Sequence, residues 1–229
     1  MSDEKISLLI VEDHRIVRKG LLALLELEPD IVVVDEAENG MEAVACAIKH
    51  KPMVILMDIA MPILNGIEAT KQIMKKLPET RVIILSAYAD DNYVDKALEV
   101  GACGYLLKQC SPSLLVVAIR DAYNGDYVFS PSIETRLKHL NQEKIDNNGH
   151  SKFKTQTLSS RENQILQLIA EGMSNKVIAN LLTISIKTVD KHRQNLMKKL
   201  SIHDTAGLTR YAITEGIIEN SQHSRRSSN

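Results

Sequence analysis

Five short apolar runs, residues 6–11, 31–34, 53–57, 81–86 and 104–107, alternate with five longer segments, 15–27, 40–50, 67–76, 92–100 and 112–124, in which apolar residues recur every three or four positions. The runs are apolar at nearly every position, as strands covered on both faces should be. Strict alternation of strand and helix leaves few topologies, because the crossover between parallel strands is right-handed. The expected fold is α/β, a five-stranded, doubly wound parallel sheet. After Asn124-Gly125 the alternation stops. Residues 126–156 are polar and read as a linker, in which 135–143 could extend a helix before it frays. From Leu158 onward the pattern is helical only, over 160–171, 175–182, 186–200 and 205–219, which predicts a second, all-α domain of four helices. The tail, 220–229, is rich in Ser, Asn and Arg and reads as disordered.

A length of 229 residues fits two domains, and 44% hydrophobic with 25% charged residues excludes collagenous or wholly disordered chains. The longest apolar runs fall far short of the roughly 20 residues that cross a bilayer, so no membrane partner is expected. The start, Met1-Ser2-Asp3-Glu4-Lys5, lacks the basic-then-apolar layout of a secretory signal, and Cys46, Cys103 and Cys110 are too scattered for a disulfide framework. A reducing, cytoplasmic location is the expectation. The net charge of −1 conceals an asymmetry: residues 1–125 hold 19 acidic against 13 basic side chains, residues 126–229 hold 10 against 15. An acidic half suits a cation, and a basic half a polyanion such as nucleic acid.

In an open parallel sheet the ligand site lies beyond the carboxyl ends of the strands. Polar residues stand there: Glu12-Asp13 after the first run, Asp58 after the third, Ser86 at the end of the fourth and Lys108 after the fifth. Carboxylates converging on one edge repel and raise each other's pKa unless a cation sits among them, and oxygen ligands alone favour Mg²⁺ over zinc. One lysine and one hydroxyl nearby complete a cradle for a phosphoryl group. Taken singly, Glu12-Asp13 reads equally well as a helix cap, Lys108 as a solvated strand end and Tyr105 as packing; it is their order along successive strands that makes a site.

Val11-Glu12-Asp13-His14, Met57-Asp58-Ile59-Ala60-Met61-Pro62 with Asn65-Gly66, Leu85-Ser86-Ala87 and Tyr105-Leu106-Leu107-Lys108 resemble the flavodoxin-like receiver domain of two-component response regulators, over residues 5 to about 125. The resemblance implies that Asp58 accepts a phosphoryl group from a sensor histidine kinase. It also implies that Glu12, Asp13, Asp58 and the backbone carbonyl of Ala60 hold Mg²⁺, that Ser86 and Lys108 contact the phosphoryl group, and that Tyr105 changes rotamer with it. On this reading the receiver supports its own Mg²⁺-dependent phosphorylation and dephosphorylation, and the chain is a regulator, not an enzyme with an external substrate. Gln109 stands where many receivers have a cis proline. A Mg²⁺-dependent phosphohydrolase also forms an aspartyl phosphate, but such enzymes usually have a second aspartate two residues on, where this chain has Ala60.

Residues 175–182, the turn Thr183-Ile184-Ser185 and residues 186–200 have the layout of a helix-turn-helix. Between Lys176 and Lys199 there are six basic residues and one acid, Asp190. Leu158-Ser159-Ser160-Arg161-Glu162, the run from Glu171 to Ala179 and the run from Ile184 to His192 resemble the LuxR-type output domain of NarL/FixJ response regulators, over residues 157 to about 218. By period, Ile186, Val189, Leu196 and Leu200 face the core. The resemblance implies that Asp190, Lys191 and Gln194 enter the major groove of double-stranded DNA, that Lys187, Thr188, Arg193, Asn195 and Lys198 meet phosphates, and that the last helix forms a homodimer contact. A homodimer on phosphorylation or on DNA is thus expected, with RNA polymerase as a possible further partner. The expected order is receiver 1–125, linker 126–156, DNA-binding domain 157–219 and tail 220–229.

Overall fold

The computed structural model describes residues 5–87, 89–137 and 158–218, which form two compact units. The N-terminal unit holds strands β1 (Ile6–Val11), β2 (Ile31–Ala37), β3 (Val54–Asp58), β4 (Arg81–Ser86), β5 (Gly104–Leu107) and β6 (Val128–Phe129), with helices α1 (Arg15–Leu25), α2 (Gly40–His50), α3 (Gly66–Lys76), α4 (Asp91–Glu99) and α5 (Pro112–Tyr123) each following one of the first five. The sheet is parallel throughout, in the order β2-β1-β3-β4-β5-β6. This is the doubly wound fold expected, with its crevice where the strand order reverses, between β1 and β3.

The central strands are buried on both faces. Leu8, Ile10, Leu56 and Ile83 pack against Leu25, Leu115 and Ile119, while Leu9, Ile55, Met57 and Ile84 are equally buried on the opposite pleat. Each such side chain contributes roughly 1.5–3 kcal/mol relative to exposure. Four of the five helices open on a side-chain cap: Asn39, Asn65, Asp90 and Ser111 each accept an N–H from the first turn.

One difference from the sequence reading bears on the site. The sheet has six strands, because Val128–Phe129, read as linker, pairs parallel to β5. Two residues are too few to show a period, so only the partner strand reveals them. Ser130 then opens a helical segment over 131–137. The remainder of the predicted linker and the tail 220–229 lie outside the described residues. Gly104 leaves room for this strand: a Cβ there would stand 2.3 Å from Val128 Cγ2 and 2.5 Å from the Val128 carbonyl oxygen. Gly104→Ala is therefore expected to cost about 1–3 kcal/mol and to raise amide exchange at Val128, whose N–H bonds to the Cys103 carbonyl at 3.0 Å; a thermal melt with exchange measurements would check both.

The C-terminal unit contains α6 (Ser160–Ala170), α7 (Asn175–Leu181), α8 (Ile186–Leu200) and α9 (Thr205–Thr214), the four helices expected. A capping box opens α6, with Ser159 and Glu162 each accepting from the other's backbone. The Lys199 ammonium, 2.9 Å from Glu162, ties the end of α8 to that cap. Ile165, Leu168, Val189, Leu196 and Leu208 have no exposed surface and form the core. Ile186 does not join them: it is 48% exposed. As the first residue of α8 its Cβ tilts back toward the helix start, away from the turns that bury Val189 and Leu196.

Candidate functional site

Parallel strands end at one edge, and their register sets the polar residues side by side. Val11 pairs with Met57, Asp58 with Leu85 and Ser86 with Leu107, so Glu12, Asp58, Ser86 and Lys108 follow or end four neighbouring strands. Glu12, Asp58 and Ser86 are all at most 3% exposed. The Lys108 ammonium stands 2.9 Å from Asp58 Oδ2 and 2.8 Å from Glu12 Oε2. Asp58 Oδ1 accepts the Ile59 N–H at 2.8 Å.

Burial pushes the Asp58 carboxyl up to about 7, with Glu12 and Asp13 adding to the effect and Lys108 opposing it. Burial works to lower the Lys108 pKa, yet Asp58 and Glu12 hold it above the ordinary lysine value. Tyr105 has no exposed surface, and its hydroxyl exchanges a hydrogen bond with Ser86. Burial raises that hydroxyl to about 12, so it stays protonated. The aromatic ring is thus already turned inward.

The acids leave room for a cation. Ligand atoms of Glu12, Asp13, His14 and Asp58 all lie within 4.8 Å of one another. Glu12 Oε2 and Asp13 Oδ1 are buried, and each is approached to 2.8 Å, the first by Lys108 Nζ and the second by His14 Nδ1. Three carboxylates converging on one edge, two of them met only by a lysine and a histidine nitrogen at these oxygens, fit a hard divalent ion. His14 is the member of the cluster that the resemblance gives no role. Most of its side chain is in solvent, but its Nδ1 turns to Glu12 and Asp13, and burial, which lowers its pKa, is outweighed by those two acids. Its position next to the acidic pair was the available signal. Among the described residues no peptide bond is cis, so Lys108–Gln109 is trans.

Beneath the α1 start, the buried Arg18 guanidinium donates to the Glu12 carbonyl at 2.5 Å, to Glu36 at 3.0 Å and to Glu38. Sequence reasoning missed it, because a lone Arg on a helix reads as solvated surface.

In the C-terminal unit, Ser174 and Ser185 cap α7 and α8, and Ser185 Oγ lies 2.8 Å from Thr188 Oγ1. Lys187, Lys191, Gln194, Asn195 and Lys198 are exposed along α8. Asp190 and Arg193 are engaged within the protein: Asn175 on α7 donates to Asp190 and accepts from Arg193 at 3.1 Å, and Arg193 also reaches Thr205 Oγ1 at 2.9 Å. These two side chains brace the turn between α7 and α8 and tie in α9. Their partners lie 15 and 18 residues away, beyond the reach of a helical-period argument.

A doubly wound sheet with an acid-lined edge, an invading lysine and a buried hydroxyl is the architecture of a receiver, and residues 8–120 match the response regulator receiver domain. Residues 156–212 match the bacterial regulatory proteins of the luxR family. The chain is 40% identical over 207 residues to the transcriptional regulatory protein LiaR of Bacillus subtilis, covering 90% of this chain and 96% of LiaR. Among solved structures, RcsB of Salmonella typhimurium is 28% identical, with a TM-score of 0.55 over 91% of this chain and 98% of RcsB. A structure of two RcsB dimers bound to two parallel DNAs is 27% identical, with a TM-score of 0.55 over 90% of this chain and 97% of that one. The protein belongs to the response regulators that join a receiver to a LuxR-type helix-turn-helix domain, a family of transcription regulators. No helix of the described residues is long and apolar enough to cross a membrane.

Proposed function

We propose that this chain is a cytoplasmic transcription regulator whose receiver takes a phosphoryl group on Asp58 from a sensor histidine kinase, and whose C-terminal domain, residues 157–219, binds double-stranded DNA as a homodimer. The observation that carries the reading is the Asp58 carboxylate, buried at a strand end 2.9 Å from Lys108 and within one cluster with the acids Glu12 and Asp13. A carboxylate is a modest nucleophile toward phosphorus, so rate must come from positioning and charge neutralisation. Asp58 forms the new O–P bond as the donor's imidazole leaves. Lys108 shifts its charge from Glu12 and Asp58 toward the phosphoryl oxygens, and Ser86 turns its hydroxyl to them. Glu12, Asp13 and Asp58, with the Ala60 carbonyl, would hold Mg²⁺, which when bound neutralises charge on the transferring group. Water attack on the same phosphorus reverses the modification. Tyr105 loses its Ser86 partner when the phosphoryl group is present and regains it on hydrolysis, which makes the pair a two-state element.

Because burial pushes the Asp58 carboxyl up to about 7, a proton competes with metal below that pH. Mg²⁺ affinity is expected to rise by up to about tenfold per pH unit below about 7 and to level off above it; calorimetric titrations at several pH values would check the slope. On the DNA side, Lys187→Ala is expected to weaken binding alike on unrelated sequences and to reduce the salt slope by about 1, read from retention assays across a salt series. The reading itself is tested by DNA affinity of the full chain before and after treatment with acetyl phosphate and Mg²⁺. Tighter binding to a duplex selected from random sequence supports it; equal binding at full phosphorylation contradicts the regulatory link.

A further inference from the structure

The last rungs of β5 are shared between two neighbours. In a parallel strand successive N–H groups point to opposite sides. The Lys108 N–H goes to the Ser86 carbonyl at 2.8 Å, on the β4 side. The Leu107 N–H points the other way, where β6 has already ended at Phe129, and there the Ser130 hydroxyl accepts it at 2.9 Å. The Ser130 N–H in turn donates to the Tyr105 carbonyl at 3.1 Å. Ser130 is itself buried, with 3% exposure. Its side chain thus stands in for the next carbonyl of the sheet, and without it the half-buried N–H immediately before Lys108 loses the partner it has here.

The same residue begins the chain that leads away from the sheet. Its carbonyl accepts the N–H groups of Ile133 and Glu134, which starts the helical segment over 131–137. From that segment Arg136 donates to the Ala89 carbonyl and pairs with Asp91 at 3.0 Å. One short stretch therefore grips the strand bearing Tyr105 and Lys108 and also the loop that follows Ser86.

We propose that Ser130 is a positioning residue for Lys108 and Tyr105, and that with Arg136 it makes the root of the connecting segment respond to the state of the phosphoryl site. This rests on the assignment of Asp58 as phosphoacceptor. If Ser86 and Lys108 move toward a phosphoryl group, the strand end that Ser130 holds shifts with them, and the helix that Ser130 starts must follow or release. Coupling then runs through a contiguous set of hydrogen bonds.

The test compares Ser130→Thr with Ser130→Val in the full chain, a pair of one shape that differs in the hydroxyl, together with Arg136→Gln. Phosphorylation rate from acetyl phosphate at saturating Mg²⁺ is read by intact mass, Mg²⁺ affinity by calorimetry, and amide exchange over residues 104–108 and 130–137 with and without acetyl phosphate. The expected result is a roughly tenfold slower rate in Ser130→Val at unchanged Mg²⁺ affinity, with the rate in Ser130→Thr near native. Exchange over 130–137 should respond to phosphorylation in the native chain and Ser130→Thr, and lose that response in Ser130→Val and Arg136→Gln. A merely structural Ser130 would lower the melting temperature of the Val variant and leave the rate per folded molecule unchanged, which overturns the proposal. A native chain that takes no phosphoryl group at all overturns the Asp58 assignment and this proposal together, whereas a phosphorylated native chain with indistinguishable Thr and Val variants overturns this proposal alone.

Discussion

Asp58→Asn is expected to abolish phosphorylation completely and to fix DNA affinity at its unphosphorylated value. The amide keeps the size and the shape of the carboxyl group, and its oxygen can still face Lys108, so the fold should survive. What it loses is the anionic oxygen that attacks phosphorus, and no other acid of the site stands in for it geometrically: Glu12 and Asp13 lie on the β1 side and face the cation position. The stability change has a definite sign. Burial and the neighbouring acids raise the Asp58 pKa to about 7, so the folded protein binds a proton more tightly than the unfolded chain does. Stability without metal therefore falls as pH rises from about 4 toward 7, and the deprotonated carboxylate is disfavoured above that. The neutral Asn removes this burden, and the variant should melt at or above the native temperature at pH 8 in the absence of Mg²⁺. Melting curves with and without Mg²⁺ would show the native chain stabilised by the metal and the variant much less so.

Gly66→Ala is expected to be the most damaging single methyl group in the receiver. A Cβ at Gly66 would lie 1.9 Å from the Asp58 carbonyl oxygen and 2.9 Å from its carbon. Both are backbone atoms and cannot swing aside. The first turn of α3 would have to lift, which also strains the 2.9 Å bond from the Gly66 N–H to the Ile59 carbonyl and the Asn65 cap, whose side chain accepts the Glu68 N–H at 2.9 Å. A cost of about 3 kcal/mol or more is expected, at the upper end for overpacking, and a melting temperature lower by about 10 °C. In the fraction that folds, Asp58 is displaced from Lys108, and its phosphorylation should slow by at least about tenfold. A variant that melts and phosphorylates like the native chain would show that the α3 start does not position Asp58.

The architecture was legible because two periods were: near-continuous apolar runs for β1, β3, β4 and β5, and three- and four-residue spacing for the helices. The site residues were legible because a parallel sheet delivers every strand end to one edge, which makes order along the chain equivalent to adjacency in space. What escaped the sequence depended on pairing across distance. Val128–Phe129 is a strand only because β5 offers an open edge. Asp190 and Arg193 look outward by helical period, yet Asn175 engages both. Arg18 resembles any surface arginine until the Glu12 carbonyl and two glutamates of the β2 end are placed around it. Ile186 obeys the periodic rule and still faces solvent, because the rule assumes a neighbour under every position of the stripe.

The central claim, that this edge is built to hold a phosphoryl group on one aspartate, is tested most directly by the intact mass of the native chain after exposure to acetyl phosphate and Mg²⁺, followed by fragmentation to locate the modification. One phosphoryl group, on Asp58, present with Mg²⁺ and absent when the metal is chelated, is the predicted result. A group found on another residue, or an equal yield without metal, would contradict it.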